Sequence, residues 1–183
     1  IKGPWIHQNI IDTLSNIKKN KKVPGGNKVH ESDGFCAALP FFLYTRSFKH
    51  LKKIISIVCN SKISIKYGLA KFHILNFALN GKKDPINLFL SKYKKNFYFK
   101  EVVKGILMIK RLKSKPHSFI VKKVGITCRY PGTFLSSIHA IINSNNYKSA
   151  ILITIKAGGC NCSRSNFVGS YFAALGGQSV IPS

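Results

Sequence analysis

Acidic side chains are scarce in this 183-residue chain: Asp12, Glu31, Asp33, Asp84 and Glu101 stand against 30 lysines and arginines, a formal charge of +25. No paired-carboxylate pattern for general acid–base work rises above chance among them, and none of the five lies in the Gly158–Ser165 stretch. No Ser-His-Asp arrangement or nucleotide-binding glycine motif stands out. Arginine is also sparse, limited to Arg46, Arg111, Arg129 and Arg164. Proteins that read phosphates favour the bidentate guanidinium fork over the point charge of lysine. No apolar run approaches the roughly 20 residues of a membrane span. The stretch from Phe35 to Tyr44 is shorter, contains Pro40 and reads as a buried helix. Cysteines are few, odd in number and widely spaced (Cys36, Cys59, Cys128, Cys160, Cys162), which argues against a disulfide framework in a chain of this size. Free thiols suit a reducing intracellular compartment, with the cytoplasm as the default expectation.

What is abundant is lysine. The excess positive charge fits a surface for nucleic acid, an anionic membrane or an acidic substrate. It fits equally a codon bias, since lysine, isoleucine and asparagine are all enriched and all have A/T-rich codons. The lysines are scattered rather than gathered beside an aromatic platform. The chain begins at Ile1 without methionine and ends just after a proline, so it is read as a segment of a longer polypeptide.

The periodicity predicts an all-α protein, a single helical domain segment over 1–183 without internal repeats. Pro4 with Ile6, Ile10, Leu14 and Ile17 marks a first helix that runs into the lysines between Lys18 and Lys22 and stops at Pro24-Gly25-Gly26. Asp33-Gly34 opens a short apolar helix to Tyr44, and Phe48–Val58 forms another. Ile65, Leu69, Phe72 and Leu79 mark a longer one that Gly81 stops. Asp84 is a natural N-cap with Pro85 at the first helical position. Phe99, Val103 and Ile106 define the next helix, which ends before Pro116. From Phe119 to Cys128 valine and isoleucine crowd together, which fits an extended segment or an irregular linker. Beyond Pro131-Gly132 come three helical stripes: Phe134–Ile142, Tyr147–Thr154 and Phe167–Leu175. The last carries a small-residue seam at Gly169 and Ala173 where another helix can approach.

The stretch that carries chemistry is Ala157-Gly158-Gly159-Cys160-Asn161-Cys162-Ser163-Arg164-Ser165, between two predicted helices. Two glycines allow a sharp turn, and small polar side chains follow at a helix start. Free N–H groups there suit an anion or phosphate. Asn161 or Ser163 could equally be an ordinary N-cap. Cys160-x-Cys162 could form half of a zinc site, although no further Cys or His completes a known spacing. His73, His117 and His139 fit core-edge or solvated histidines better than bases.

With those residues in view, the chain resembles the ADP-ribosylglycohydrolases, a family that includes the J1-crystallins. Their C-terminal signature is a Gly-Gly-Asp-x-Asp-Thr loop between an amphipathic helix and a small-residue helix. Gly158 and Gly159 match it, Cys160 and Cys162 stand at the aspartates, and Ser163 replaces the threonine. Ser32-Asp33-Gly34-Phe35-Cys36-Ala37-Ala38-Leu39-Pro40 is similar to the family's glycine-containing loop and apolar helix lining the ligand cleft. Val58–Gly68 resembles the junction before its long helix, without the usual Thr-His pair, and Tyr130-Pro131-Gly132-Thr133-Phe134 resembles the turn before its penultimate helix.

The resemblance implies a compact multi-helix domain, incomplete at its N-terminus. It implies a hydrolase, a glycosidase removing ADP-ribose from a protein or other acceptor with a pair of Mg²⁺ ions. Its substrate-binding residues would be Asp33, Gly34, Gly158, Gly159, Asn161 and Ser163, with the two loops facing one cleft. Cys160, Cys162 and Ser163 fall at the metal positions. Mg²⁺ requires oxygen, and a thiolate suits zinc or copper(I) instead. The remaining family ligands come from a Thr-Asp-Asp region outside this chain. No catalytic residue can therefore be assigned, and a pseudoenzyme is one expectation. The expected partner is ADP-ribose or an ADP-ribosylated protein. The alternatives are a non-catalytic ADP-ribose-binding or crystallin-like structural protein, and a basic nucleic-acid-binding module.

Overall fold

A computed structural model describes residues 6–182. It is all-α, as the periodicity requires: α1 (Gln8–Lys18), α2 (Asp33–Thr45), α3 (Leu51–Val58), α4 (Lys62–Leu79), α5 (Pro85–Tyr93), α6 (Lys100–Arg111), α7 (His117–Val124), α8 (Gly132–Ile142), α9 (Tyr147–Lys156) and α10 (Asn161–Gly176), then a short 3₁₀ turn at Gln178–Val180. Among the described residues the sole β feature is an isolated bridge between Gly26 and Cys59. No helix there is long and apolar enough to cross a membrane. The chain divides into two compact units, Ile1–Leu69 and Ala70–Ser183.

In the first unit α3 packs against α2 and α1. At Gly34 of α2 a β-carbon would fall 2.8 Å from the carbonyl oxygen of Ile55 and 3.0 Å from Cβ of Cys59. Glycine is therefore required by the helix contact itself. Cys59 is fully buried. Its sulfur accepts from Nδ2 of Asn9 at 2.6 Å and lies 3.4 Å from the carbonyl of Glu31; burial pushes its thiol pKa upward. Helix α1 departs from simple patterning. Ile6, Leu14 and Ile17 are about half exposed, while the fully or nearly buried positions are Asn9 and Thr13. Polar groups take the inward face because each has a fixed partner: the Thr13 hydroxyl donates to the carbonyl of Asn9 at 2.6 Å and accepts from the Gly26 N–H at 3.2 Å. Pro4 lies outside the described residues.

The second unit is organised around α8. Every residue from Gly132 to Ile141 is buried, and α6, α7, α9 and α10 all pack against it. A helix buried on all sides must satisfy its polar groups internally. Ser136 and Ser137 do so by donating to the carbonyls of Gly132 and Thr133, each at 2.7 Å. Phe134 stacks on Phe167 of α10 at 6.2 Å; burying each ring is worth about 2 kcal/mol. Lys71, fully buried, holds its ammonium 5.1 Å from the Tyr130 ring and 5.3 Å from the Phe167 ring.

One sequence expectation is corrected. The Phe119–Cys128 region is not an extended segment or an irregular linker over most of its length, because α7 spans His117–Val124. Pro116 precedes it, Gly125 ends it, and Ile120 and Val121 are buried. The β-branched residues that lower helix propensity are the ones that pack inward, so tertiary burial overrides local preference. The small-residue seam is present where the sequence put it. A β-carbon on Gly169 would lie 3.3 Å from the Tyr147 hydroxyl and 3.7 Å from Cδ1 of Ile151, so α9 rests on this glycine.

Candidate functional site

The glycine loop joins α9 to α10. Gly158 and Gly159 both have positive φ, 72° and 70°, a region that favours glycine. They differ in surroundings. Gly158 has nothing within 4 Å of a would-be β-carbon, whereas at Gly159 that atom would lie 2.3 Å from the carbonyl oxygen of Ile126. The same carbonyl accepts the Cys160 N–H at 2.8 Å. Gly159 is thus pinned to the segment after α7, and Gly158 forms the open side of the turn. Cys160 occupies the N-cap of α10 without a side-chain cap bond to the backbone. Its sulfur is 3.2 Å from the Ser163 hydroxyl. Cys162 is exposed and Ser163 is buried.

The group that organises this loop is Arg164, whose side chain is completely buried. Its Nη2 donates to the Gly158 carbonyl and, at 2.8 Å, to Oδ1 of Asn161. Asn161 therefore serves as an acceptor for a cation rather than as an N-cap. Arg164 was not among the candidate residues of the sequence. An arginine after a serine at a helix start carries no signal of burial, and the charge-rich composition hides it further.

Beneath Arg164, the α10 backbone meets α8, with the Ser137 hydroxyl 3.5 Å from the Arg164 carbonyl. From α7 and α8 come two stacked histidines. The rings of His117 and His139 are 5.3 Å apart at 19°, with their Nδ1 atoms at 3.0 Å. His139 is buried, as expected of a core histidine. Burial pulls the pKa of His117 from its ordinary 6.5 to about 4, and the neighbouring charges of His139 and Arg164 add to the effect. His139 is lowered as well, chiefly by burial. His73 is held at about 4 by burial and the charge of Lys92, and its Nδ1 is 3.0 Å from the Tyr93 hydroxyl.

The donor set of the loop does not fit Mg²⁺. Its side chains offer two sulfurs and a hydroxyl where carboxylate oxygens are needed. The loop oxygens of Gly158 and Asn161 already face a guanidinium. The second unit's two carboxylates are committed elsewhere: Asp84 caps α5 by accepting the Asn87 N–H at 3.0 Å, and Glu101 sits in the first turn of α6.

Asp33 and Gly34 belong to the first unit. Gly34 is a packing glycine, and Asp33 sits beside His7, whose Nδ1 is 3.0 Å from Oδ2 of Asp33 and 3.8 Å from Oε2 of Glu31. This imidazole between two carboxylates was not anticipated from the sequence, because His7 and Asp33 are far apart along the chain. The second unit also contains a hollow of about 280 Å³ lined by Asp84, Asn87, Lys110, Lys113 and Tyr171 among others; it shares no residue with the glycine loop.

The comparisons with known proteins agree with the fold. No family model matches the chain. Crystallin J1A of Tripedalia cystophora is 26% identical over 187 residues, covering 99% of this chain and 56% of its own length. Crystallin J1B of the same animal is 24% identical over the same span. Among solved structures, an ADP-ribosylglycohydrolase-related protein complex superposes with a TM-score of 0.65 at 13% identity, over 96% of this chain and 61% of its own. That likeness speaks for the fold, and the crystallin likeness for the relationship. The chain is thus similar to the J1-crystallins in sequence and to an ADP-ribosylglycohydrolase-related protein in fold. The chain spans a little over half the length of these two crystallins.

Proposed function

We propose that this chain supplies the C-terminal portion of an ADP-ribosylglycohydrolase-like domain that recognises ADP-ribose without hydrolysing it through a metal pair. The observation that carries this is the content of the glycine loop. It keeps the turn and the helix start, whose first-turn N–H groups beyond Asn161 suit a diphosphate. In place of carboxylates that would hold Mg²⁺ it has Cys160 and Cys162, and it encloses a buried guanidinium. The candidate ligand-binding residues are Gly158, Gly159, Asn161 and Ser163 in the second unit, and Asp33 and Gly34 in the first. The chain's high positive charge draws the same anion.

The test is calorimetric titration of ADP-ribose into the wild type and into Gly159→Val, with folding of the variant checked by circular dichroism. Binding that is lost or at least tenfold weaker in the variant supports the reading. Equal affinity in both would mean that the loop is a helix cap and nothing more. A structural role without a ligand is the second reading, favoured by the crystallin relatives; it expects no binding by either protein.

A further inference from the structure

The buried polar atoms around Arg164 include an unusual set. Nε and Nη1 of Arg164 and Nε2 of His117 are all inaccessible and have no hydrogen-bond partner. His117 faces His139, Nδ1 to Nδ1 at 3.0 Å. The two unpartnered arginine nitrogens can only donate. One of the two side chains is a permanent cation buried without a carboxylate: the protein acceptors of Arg164 are the neutral oxygens of Gly158 and Asn161. Leaving a buried charge and its donors unmatched is among the costliest arrangements in a fold. Such an arrangement calls for an anion with several acceptor oxygens.

We propose that Arg164 and His117, beneath the Gly158–Asn161 turn, form a metal-independent oxyanion site that takes a phosphate group, with the guanidinium in the role that a metal cation has in a carboxylate-lined loop. Gly158, on the open side of the turn with no neighbour over its α-carbon, is where the anion enters. The proposal rests on the ADP-ribose reading for the identity of the natural ligand. The chemistry of the site, a tetrahedral oxyanion against an arginine and an imidazole, stands by itself.

The experiment uses inorganic pyrophosphate as probe, in EDTA and 150 mM KCl to suppress diffuse attraction to the lysines. Calorimetry and thermal melting are run on the wild type, Arg164→Met, Asn161→Asp and Lys122→Ala. Lys122 is an exposed lysine of α7 and controls for general charge. The wild type and Lys122→Ala should bind pyrophosphate alike, and Arg164→Met should bind at least tenfold more weakly. Asn161→Asp guards against a misfolded variant. It places a carboxylate on the guanidinium, so the free protein should melt no lower than wild type, and pyrophosphate should bind at least tenfold more weakly. Pyrophosphate affinity unchanged in Asn161→Asp, or absent in the wild type, overturns the proposal. A parallel titration with ADP-ribose separates the two ideas. If ADP-ribose binds wild type and Asn161→Asp equally, the oxyanion site fails while the ADP-ribose reading stands. If pyrophosphate behaves as expected and ADP-ribose does not bind, the site stands and the ligand reading fails.

Discussion

The paired glycines of the loop allow a comparison in which backbone strain is held constant. Gly158 and Gly159 have nearly the same φ, 72° and 70°. An alanine at either must adopt a left-handed conformation, at about 1–2 kcal/mol. For Gly158→Ala nothing else is added, because its β-carbon meets no atom within 4 Å. For Gly159→Ala the β-carbon starts 2.3 Å from the carbonyl oxygen of Ile126 and 3.0 Å from Cβ of the same residue. Relief requires the two segments to part by about 1 Å, an overpacking cost of roughly 1–3 kcal/mol. The movement also strains the bond from the Cys160 N–H to that carbonyl, now 2.8 Å, worth about 1 kcal/mol. Gly159→Ala should therefore destabilise by about 3–6 kcal/mol, and Gly158→Ala by about 1–2 kcal/mol. Urea unfolding followed by far-ultraviolet circular dichroism measures both. Equal losses in the two variants would show that Gly159 is not held against Ile126 and that the loop is open on both sides.

Three other expectations follow from the second unit and the loop. Gly169→Leu should lower stability by about 1–3 kcal/mol through overpacking against Tyr147 and Ile151. Gly169→Ala should be neutral or stabilising, because helix propensity gains up to about 1 kcal/mol and the half-buried Tyr147 hydroxyl end can yield; an unchanged melting temperature for Gly169→Leu would place α10 outside the core. Burial holds His73 and His117 at about 4, below the ordinary 6.5. The unfolded chain therefore takes up protons first, and stability should be full above pH 6.5 and fall as the pH drops towards 4. Each pKa unit is worth about 1.4 kcal/mol; discounted for partial solvent exposure, His117 contributes about 2 kcal/mol. Urea midpoints equal at pH 7.5 and pH 4.5 would contradict this. Titration of Mg²⁺ should show no stoichiometric site of micromolar affinity, and restoring aspartate at Cys160 and Cys162 should not create one in this chain by itself. A micromolar site in the unmodified protein would refute the donor-set argument.

Most of the helices were legible because their apolar spacing and their punctuation coincide. Asp84-Pro85 opened α5, Gly81 stopped α4, and Gly169 marked the face that receives α9. Where tertiary packing overrode local preference the pattern failed, as in α7, whose β-branched run reads as extended. In α1 the stripe located the helix but not its buried face, because Asn9 and Thr13 are paired inward by hydrogen bonds that no periodicity reveals. The division at Leu69 falls inside α4, where the apolar repeat runs on unbroken, so the sequence gives no sign of it. The loop itself was visible as a motif. Its buried arginine was not, since exposure of a charged side chain is the normal expectation, and the His117–His139 pair depends on how α7 packs on α8, which no motif marks.

Recognition of a phosphorylated ligand by the loop should need no metal. The direct measurement is the affinity of the protein for ADP-ribose in EDTA and again with millimolar Mg²⁺, with release of free ADP-ribose from an ADP-ribosylated protein followed under both conditions. The account predicts the same dissociation constant in both and no release in either. Binding that appears only with Mg²⁺, or release that Mg²⁺ switches on, would contradict it.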